Sequence, residues 1–287
     1  MSPDVTAFFD PATNTISYVV RDPSGSACAV IDPVLDFDYA SGRTDTASAD
    51  RIIAHIEAEG LELHWLLESH VHADHLSAAP YIQERVGGQI GIGANIRVVQ
   101  ETFGKVFNEG TEFQRDGSQF DRLFSEGDSL HIGQMRADVL HTPGHTPACL
   151  TYVIGDAAFV GDTLFMPDFG TARCDFPGGS AAQLYASIQK IFSLPDATRI
   201  FVAHDYKAPG RDVYAWESTV GEQKARNVHV GGGVSEAEFT AMRDARDAQL
   251  AMPRLIIPSL QVNMRAGQMP PEDESGSVFL KVPVNKL

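Results

Sequence analysis

Three imidazoles and a carboxylate fall within six residues, His70-Val71-His72-Ala73-Asp74-His75, directly after the apolar run Trp65-Leu66-Leu67. No other stretch limits the fold so tightly. A packed interior would have to satisfy each of these groups separately, because an unpaired buried polar group costs on the order of 1–3 kcal/mol. One divalent cation satisfies several at once. The chain must therefore fold so that this stretch meets a metal, joined by whatever donors the remaining residues bring.

Those donors recur at the ends of short apolar runs. Asn14–Arg21 and Cys28–Pro33, separated by Asp22-Pro23-Ser24-Gly25, read as a β-hairpin. Ala47–Gly60, with Ile52, Ile53 and Ile56 on one face, reads as a helix capped by Gly60. Leu63–Ser69 reads as a buried strand, and the metal stretch begins where it ends. A second helix is expected from near Asp74 through Leu76 and Tyr81 to Gly87-Gly88.

The G-x-G of Gly91-Ile92-Gly93 lacks the third glycine and the acidic partner of a dinucleotide loop. A polar, loop-rich stretch is expected through Asp116-Gly117. Ser129–Ile132, Arg136–His141, Cys149–Ile154 and Ala157–Val160 then form an antiparallel meander bounded by turn residues. Its loops carry Thr142-Pro143-Gly144-His145 and Gly161-Asp162-Thr163. A helix over Ser180–Phe192, a strand over Arg199–Ala203 ending in His204-Asp205-Tyr206, and a helix over Ser235–Leu250 with Glu238 completing a capping box follow. The tail Pro258–Gly267 shows no clear period. No linker divides the chain, so one domain over 1–287 is expected, with a core of about 1–230 and a C-terminal helix and tail, about 231–287, packed on it.

Composition excludes several classes. With 38 acidic and 22 basic residues the net charge is −16, which disfavours nucleic acid as a partner. No apolar run reaches the ~20 residues of a membrane span, and Met1–Val5 lacks the basic start of a signal peptide, so the expected location is cytoplasmic, with no membrane contact. Cys28, Cys149 and Cys174 are too scattered for a disulfide framework or a metal knuckle and read as reduced thiols.

Collected, the candidate ligands are His70, His72, Asp74, His75, His145, Asp162 and His204, enough for two metals or for one with a dense surround. With H-x-H-x-D-H at 70–75, Pro-Gly-His at 143–145, Gly-Asp-Thr at 161–163 and His204, the sequence resembles the metallo-β-lactamase superfamily. The resemblance implies an α/β fold, an αββα sandwich of two mixed sheets flanked by helices with the metal site at one edge. Within that superfamily, Gly161–Phe165, Gly170–Phe176, His204-Asp205-Tyr206 and Gln261–Gly267 look like the bacterial branch of the persulfide dioxygenases, also called sulfur dioxygenases.

That likeness implies one Fe(II) per chain, held by His70, His145 and Asp162, with His72, Asp74, His75 and His204 either around it or holding a second metal. Three open positions would serve water, substrate and dioxygen, in keeping with the need of oxygen activation for a redox metal with adjacent free sites. The implied reaction takes glutathione persulfide, O2 and water to glutathione and sulfite. Arg173, steadied by Asp175, would hold a glutathione carboxylate, since guanidinium and carboxylate match in a two-pronged hydrogen bond. Tyr206 would serve catalysis by hydrogen-bonding the substrate or its sulfur, and Cys174 reads as an inert buried thiol.

The same ligands would also serve a glyoxalase II type thioester hydrolase with two metals, zinc among them. The stretch Gly170-Thr171-Ala172-Arg173 favours the dioxygenase, because the hydrolase carries a Cys-Gly and aromatic pattern there. A non-catalytic metal or redox sensor is the reading from another class. Nothing in the sequence marks a dedicated interface, though the apolar segment Pro253–Leu260 could dock on a second subunit, giving a homodimer or higher homo-oligomer.

Overall fold

The computed structural model describes residues 2–286, so Met1 and Leu287, the two ends of the expected domain, lie outside the described residues. The first half contains β1 (Asp4–Asp10), β2 (Thr15–Arg21), β3 (Ala27–Ile31), β4 (Val34–Asp38), β5 (Arg43–Asp45), α1 (Ala47–Ala58), β6 (Glu62–Leu67), β7 (Leu76–Ser77), α2 (Ala79–Val86), β8 (Gln89–Gly93), α3 (Ile96–Val106) and β9 (Arg122–Phe124). The second contains β10 (Ser129–Ile132), β11 (Met135–His141), β12 (Leu150–Ile154), β13 (Ala157–Phe159), α4 (Ala181–Phe192), β14 (Arg199–Phe201), β15 (Glu217–Thr219), α5 (Val220–Arg226), α6 (Glu236–Asp247) and α7 (Ile256–Asn263).

The strands form two six-stranded sheets, β1-β2-β3-β6-β8-β9 and β10-β11-β12-β13-β14-β15, plus a small sheet β5-β4-β7. Both large sheets are mixed: β3, β6, β8 and β9 run parallel to one another and β13 parallel to β14, while the other pairs are antiparallel. Side chains alternate across each strand, and here both faces are apolar. Ile16, Tyr18 and Val20 of β2 meet Leu150, Tyr152 and Ile154 of β12 between the sheets. Val19, Cys28 and Val30 face the other way, onto Ile52 and Ile56 of α1, Ile82 of α2 and Val99 of α3. On the far side, Ala158 and Val160 pack on Leu184 and Ile188 of α4 and Phe239 of α6. Three apolar interfaces between four layers are the αββα sandwich.

The meander and the helices α1, α4 and α6 stand where the sequence puts them, α6 ending at Asp247, three residues short of the expected Leu250. Four readings are corrected. The helix expected from Asp74 begins only at Ala79, because Leu76 and Ser77 pair with Leu35 and Val34, and Pro80 in the first turn supplies no N–H. The expected loop-rich stretch contains α3, anchored by buried Ile96, Val99 and Phe103. The tail without a period is α7: Ile256, Ser259, Leu260, Gln261, Val262 and Asn263 are all buried, and a helix enclosed on nearly every side shows no amphipathic stripe. For the same reason Pro253–Leu260 is not a free docking face, since Ile256 and Leu260 are spent in this chain's own core.

Candidate metal centre

All seven expected ligands converge at one edge of the sandwich, where the sheets are stitched together. The loop leaving β6 is held by backbone bonds: Asp32 N–H donates to Leu67 O (3.0 Å) and Leu150 N–H, from the second sheet, to Ser69 O (2.8 Å). The Asp32 carboxylate accepts Ser69 N–H at 2.7 Å. His145 sits in the turn between β11 and β12, behind Gly144, whose φ of +141° and approach to α4 exclude a side chain, since a Cβ there would lie 2.3 Å from the Leu184 backbone. Asp162 follows β13 and His204 follows β14, where Ile16 N–H donates to Ala203 O at 2.7 Å.

His70, His145 and Asp162 bring their ligand atoms within 4.8 Å of one another. His70 Nε2 and His145 Nε2 lie 3.8 and 3.6 Å from Asp162 Oδ2. Each ring is aimed by its other nitrogen, His70 Nδ1 on Ser69 Oγ (2.9 Å) and His145 Nδ1–H on Arg173 O (2.7 Å). His72, Asp74 and His75 form a second group of the same span. His204 Nε2 stands between the groups, 3.2 Å from Asp74 Oδ2 and 3.3 Å from Asp162 Oδ1. His72 is turned by two carboxylates that sequence reasoning missed, with Nε2 at 3.0 Å from Asp32 Oδ1 and 3.5 Å from Glu68 Oε2.

A cation fits this donor set. His70 Nε2, His72 Nδ1, Asp74 Oδ2, His75 Nε2, Asp162 Oδ1 and His204 Nε2 are all buried without a hydrogen-bond partner, which no metal-free interior would tolerate in one place. Burial, and then the positive charge of neighbouring imidazoles, push His70 well below the ordinary histidine pKa and His75 down to about 4, so both keep open lone pairs at neutral pH. Burial opposes charge on His72 as well, but Asp32 and Glu68 override it and raise its pKa. The metallo-beta-lactamase superfamily model matches residues 11–204. The chain belongs to that superfamily.

It is 56% identical over 293 residues to the probable metallo-hydrolase of Burkholderia pseudomallei, covering 99% of each chain. It is 43% identical to glyoxylase B2 of Dictyostelium discoideum, covering 99% of this chain and 97% of that one. It is 32% identical to the mitochondrial persulfide dioxygenase ETHE1 of Mus musculus, over 92% and 89%. Among solved structures, ETHE1 from Myxococcus xanthus superposes with a TM-score of 0.74 at 28% identity, covering 92% of this chain and all of that one. The superposition on the Myxococcus xanthus structure carries the superfamily fold across nearly the whole chain.

In this member of the metallo-beta-lactamase superfamily the centre opens into a cavity of about 440 Å³, with Asp74, His145 and Asp162 in its wall. Phe165, Phe169 and Phe176 make it apolar, and Tyr206 stands at its rim, 42% exposed and stacked on His204 with ring centroids 5.8 Å apart. Desolvation and the charges of Asp74 and Asp162 raise the Tyr206 pKa, so its hydroxyl stays a neutral donor. Arg173 is in the wall as expected, yet its fork is already taken: Nε and Nη2 donate to Asp175 at 2.5 Å each and Nη1 to Ala251 O at 2.6 Å. Arg246 and Arg254 line the same cavity without an ion pair among the described residues.

Arg246 is one turn from buried Arg243 on α6, and sequence reasoning missed it. Asn263 of α7 was missed as well. Its Nδ2 donates to His72 O (2.9 Å) and His75 O (2.8 Å), and its Oδ1 accepts from Ser77 N–H (2.8 Å), clamping the ligand loop. Cys174 is buried outside the cavity wall, and burial raises its thiol pKa, in keeping with an inert residue.

Proposed function

We propose that the chain is a non-heme iron persulfide dioxygenase that takes glutathione persulfide, O2 and water to glutathione and sulfite, with one Fe(II) held by His70, His145 and Asp162. The observation that carries the reading is the partition of the donors. His70, His145 and Asp162 bring their ligand atoms within 4.8 Å, with His145 and Asp162 in the cavity wall; of the other four donors only Asp74 reaches the wall, and His72, His75 and His204 are, like His70, fully buried. Two histidines and one carboxylate leave adjacent coordination positions open, and iron bound there would supply the redox capacity that oxygen chemistry needs.

The chain's own residues account for the rest. Asp32 and Glu68 fix the His72 ring, and Ser69 and the Arg173 carbonyl fix those of His70 and His145. Phe165, Phe169 and Phe176 keep water off a reactive sulfur. The Tyr206 hydroxyl, a neutral donor, can hydrogen-bond the substrate sulfur. With Arg173 engaged by Asp175, Arg246 and Arg254 are the groups left to receive the two carboxylates of a glutathione moiety. The persulfide dioxygenase among the relatives supports the same reading.

A second reading has its own support. The group His72, Asp74 and His75, with His204 Nε2 3.2 Å from Asp74, can hold a second metal, as a thioester hydrolase requires. Glyoxylase B2 among the relatives points the same way. Metal analysis of anaerobically purified protein with one assay separates the two. About one iron per chain with oxygen uptake on glutathione persulfide supports the dioxygenase; two zincs with hydrolysis of S-lactoylglutathione would replace it.

A further inference from the structure

Beside His145, sharing Ala73 and Phe176 with the wall of the main cavity, lies a second and much smaller space. It measures about 20 Å³ and is walled by Val71, Val99, Phe103, Phe176 and Leu260, each at most 7% exposed. Its outer end is marked by Pro147, half-buried, and Pro177, exposed; its inner end shares Ala73, His145 and Phe176 with the wall of the main cavity.

Two properties decide what it can hold. A volume of about 20 Å³ exceeds the roughly 10–15 Å³ that admits a water-sized guest, but water also needs two or more polar partners. The polar side chains in the wall are both engaged: His145 Nδ1–H donates to Arg173 O at 2.7 Å, and Thr146 Oγ1 lies 3.0 Å from Cys149 Sγ and accepts Ala148 N–H at 3.3 Å. A dry apolar space of this size selects a small apolar gas over water. The Phe176 ring, edge-on to His145 with centroids 5.2 Å apart, separates it from the path a charged peptide persulfide would take.

We infer that this pocket is the entry and holding site for dioxygen, delivering it to the His145 side of the centre while the persulfide enters through the arginine-lined cavity. The inference rests on the dioxygenase reading, and separate entrances would let oxygen arrive with the substrate already in place. Val99 on α3 and Leu260 on α7 touch the small pocket alone, so enlarging either fills it without touching the main cavity or a ligand.

The test uses the metal-loaded protein with xenon and oxygen as probes. In crystals under xenon pressure, one xenon should occupy the pocket in the wild type and disappear in Val99→Phe. In oxygen-uptake kinetics, Val99→Phe should raise KM for O2 roughly tenfold while iron content and KM for the persulfide hold. Should Val99→Phe not fold, Leu260→Phe carries the same expectation. Absence of xenon from this pocket in the wild type, or an unchanged KM for O2 in a folded filling variant, overturns the inference. Normal uptake with unchanged KM for O2 overturns the pocket alone, whereas no uptake by the wild type overturns the dioxygenase reading and the pocket's role with it.

Discussion

Asp247→Asn should destabilise this protein far more than a one-atom change suggests, and should weaken metal binding from outside the centre. Arg243 and Asp247 are 1% and 6% exposed, and Asp247 Oδ1 accepts both Arg243 Nε–H (2.9 Å) and Nη2–H (2.6 Å). Arg243 Nη1 donates to Thr171 O at 3.1 Å, and Asp247 Oδ2 accepts Cys174 N–H at 2.7 Å. The pair therefore holds segment 171–174, whose Arg173 carbonyl accepts from His145 Nδ1–H.

Removing the carboxylate charge leaves a guanidinium buried and unpaired, which costs about 3–5 kcal/mol. At about 2 °C per kcal/mol for a chain of this size, the melting temperature should fall by about 6–10 °C. Loss of the His145 aim should lower metal affinity about 10- to 100-fold. The assays are thermal unfolding of metal-loaded protein and competition with a chelator. Arg243→Met with Asp247→Leu should recover most of the stability, since an apolar pair replaces a buried ion pair at little cost. A fall of under about 2 °C in Asp247→Asn would refute the reasoning.

His70→Ala should lose iron outright whereas His75→Ala should retain most of it; equal loss by metal analysis would favour two metals. Arg246→Ala with Arg254→Ala should raise KM for glutathione persulfide about tenfold or more at unchanged iron content, and an unchanged KM would return the carboxylate contact to Arg173. Chelation should lower the melting temperature in a manner reversed by added metal, because metal binds the folded state alone. His229, lowered to about 4 by burial and then by Arg243 and Arg246, accepts Thr171 N–H at Nδ1 (3.0 Å) and must stay neutral to do so. The unfolded chain takes up that proton near 6.5 and the folded one only near 4, so stability should fall as pH drops through this window. His229→Asn should flatten that slope in pH-dependent urea unfolding, and an unaltered slope would remove His229 from the account.

The sequence by itself determined the seven candidate ligands and the strand-end loops that carry them, because ligand chemistry and turn residues are local signals. It determined α1, α4 and α6 as well, because each keeps a polar face beside its apolar one. It did not reveal β8: Gly91 and Gly93 look like a loop, yet they are strand residues stripped of side chains by close neighbours, a Cβ at Gly91 lying 2.5 Å from the Phe124 ring and one at Gly93 2.7 Å from Ala148 O. Nor did it reveal α7, whose burial on nearly every side erases the period, or Asn263, which reaches back across 191 and 188 residues to the carbonyls of His72 and His75.

Which of the seven donors reach the cavity was likewise decided by tertiary structure. Spacing alone makes His70, His72, Asp74 and His75 equivalent candidates. Only the fold turns His72 onto Asp32 and Glu68, seals His70, His75 and His204, and leaves Asp74, His145 and Asp162 at the open cavity. Arg173 and Arg246 are the same residue type in the sequence, and the pairing of one with Asp175 separates a structural fork from a free one. Local chemistry writes the list of ligands, and which of their atoms stay open depends on neighbours that only the folded chain brings within hydrogen-bond reach.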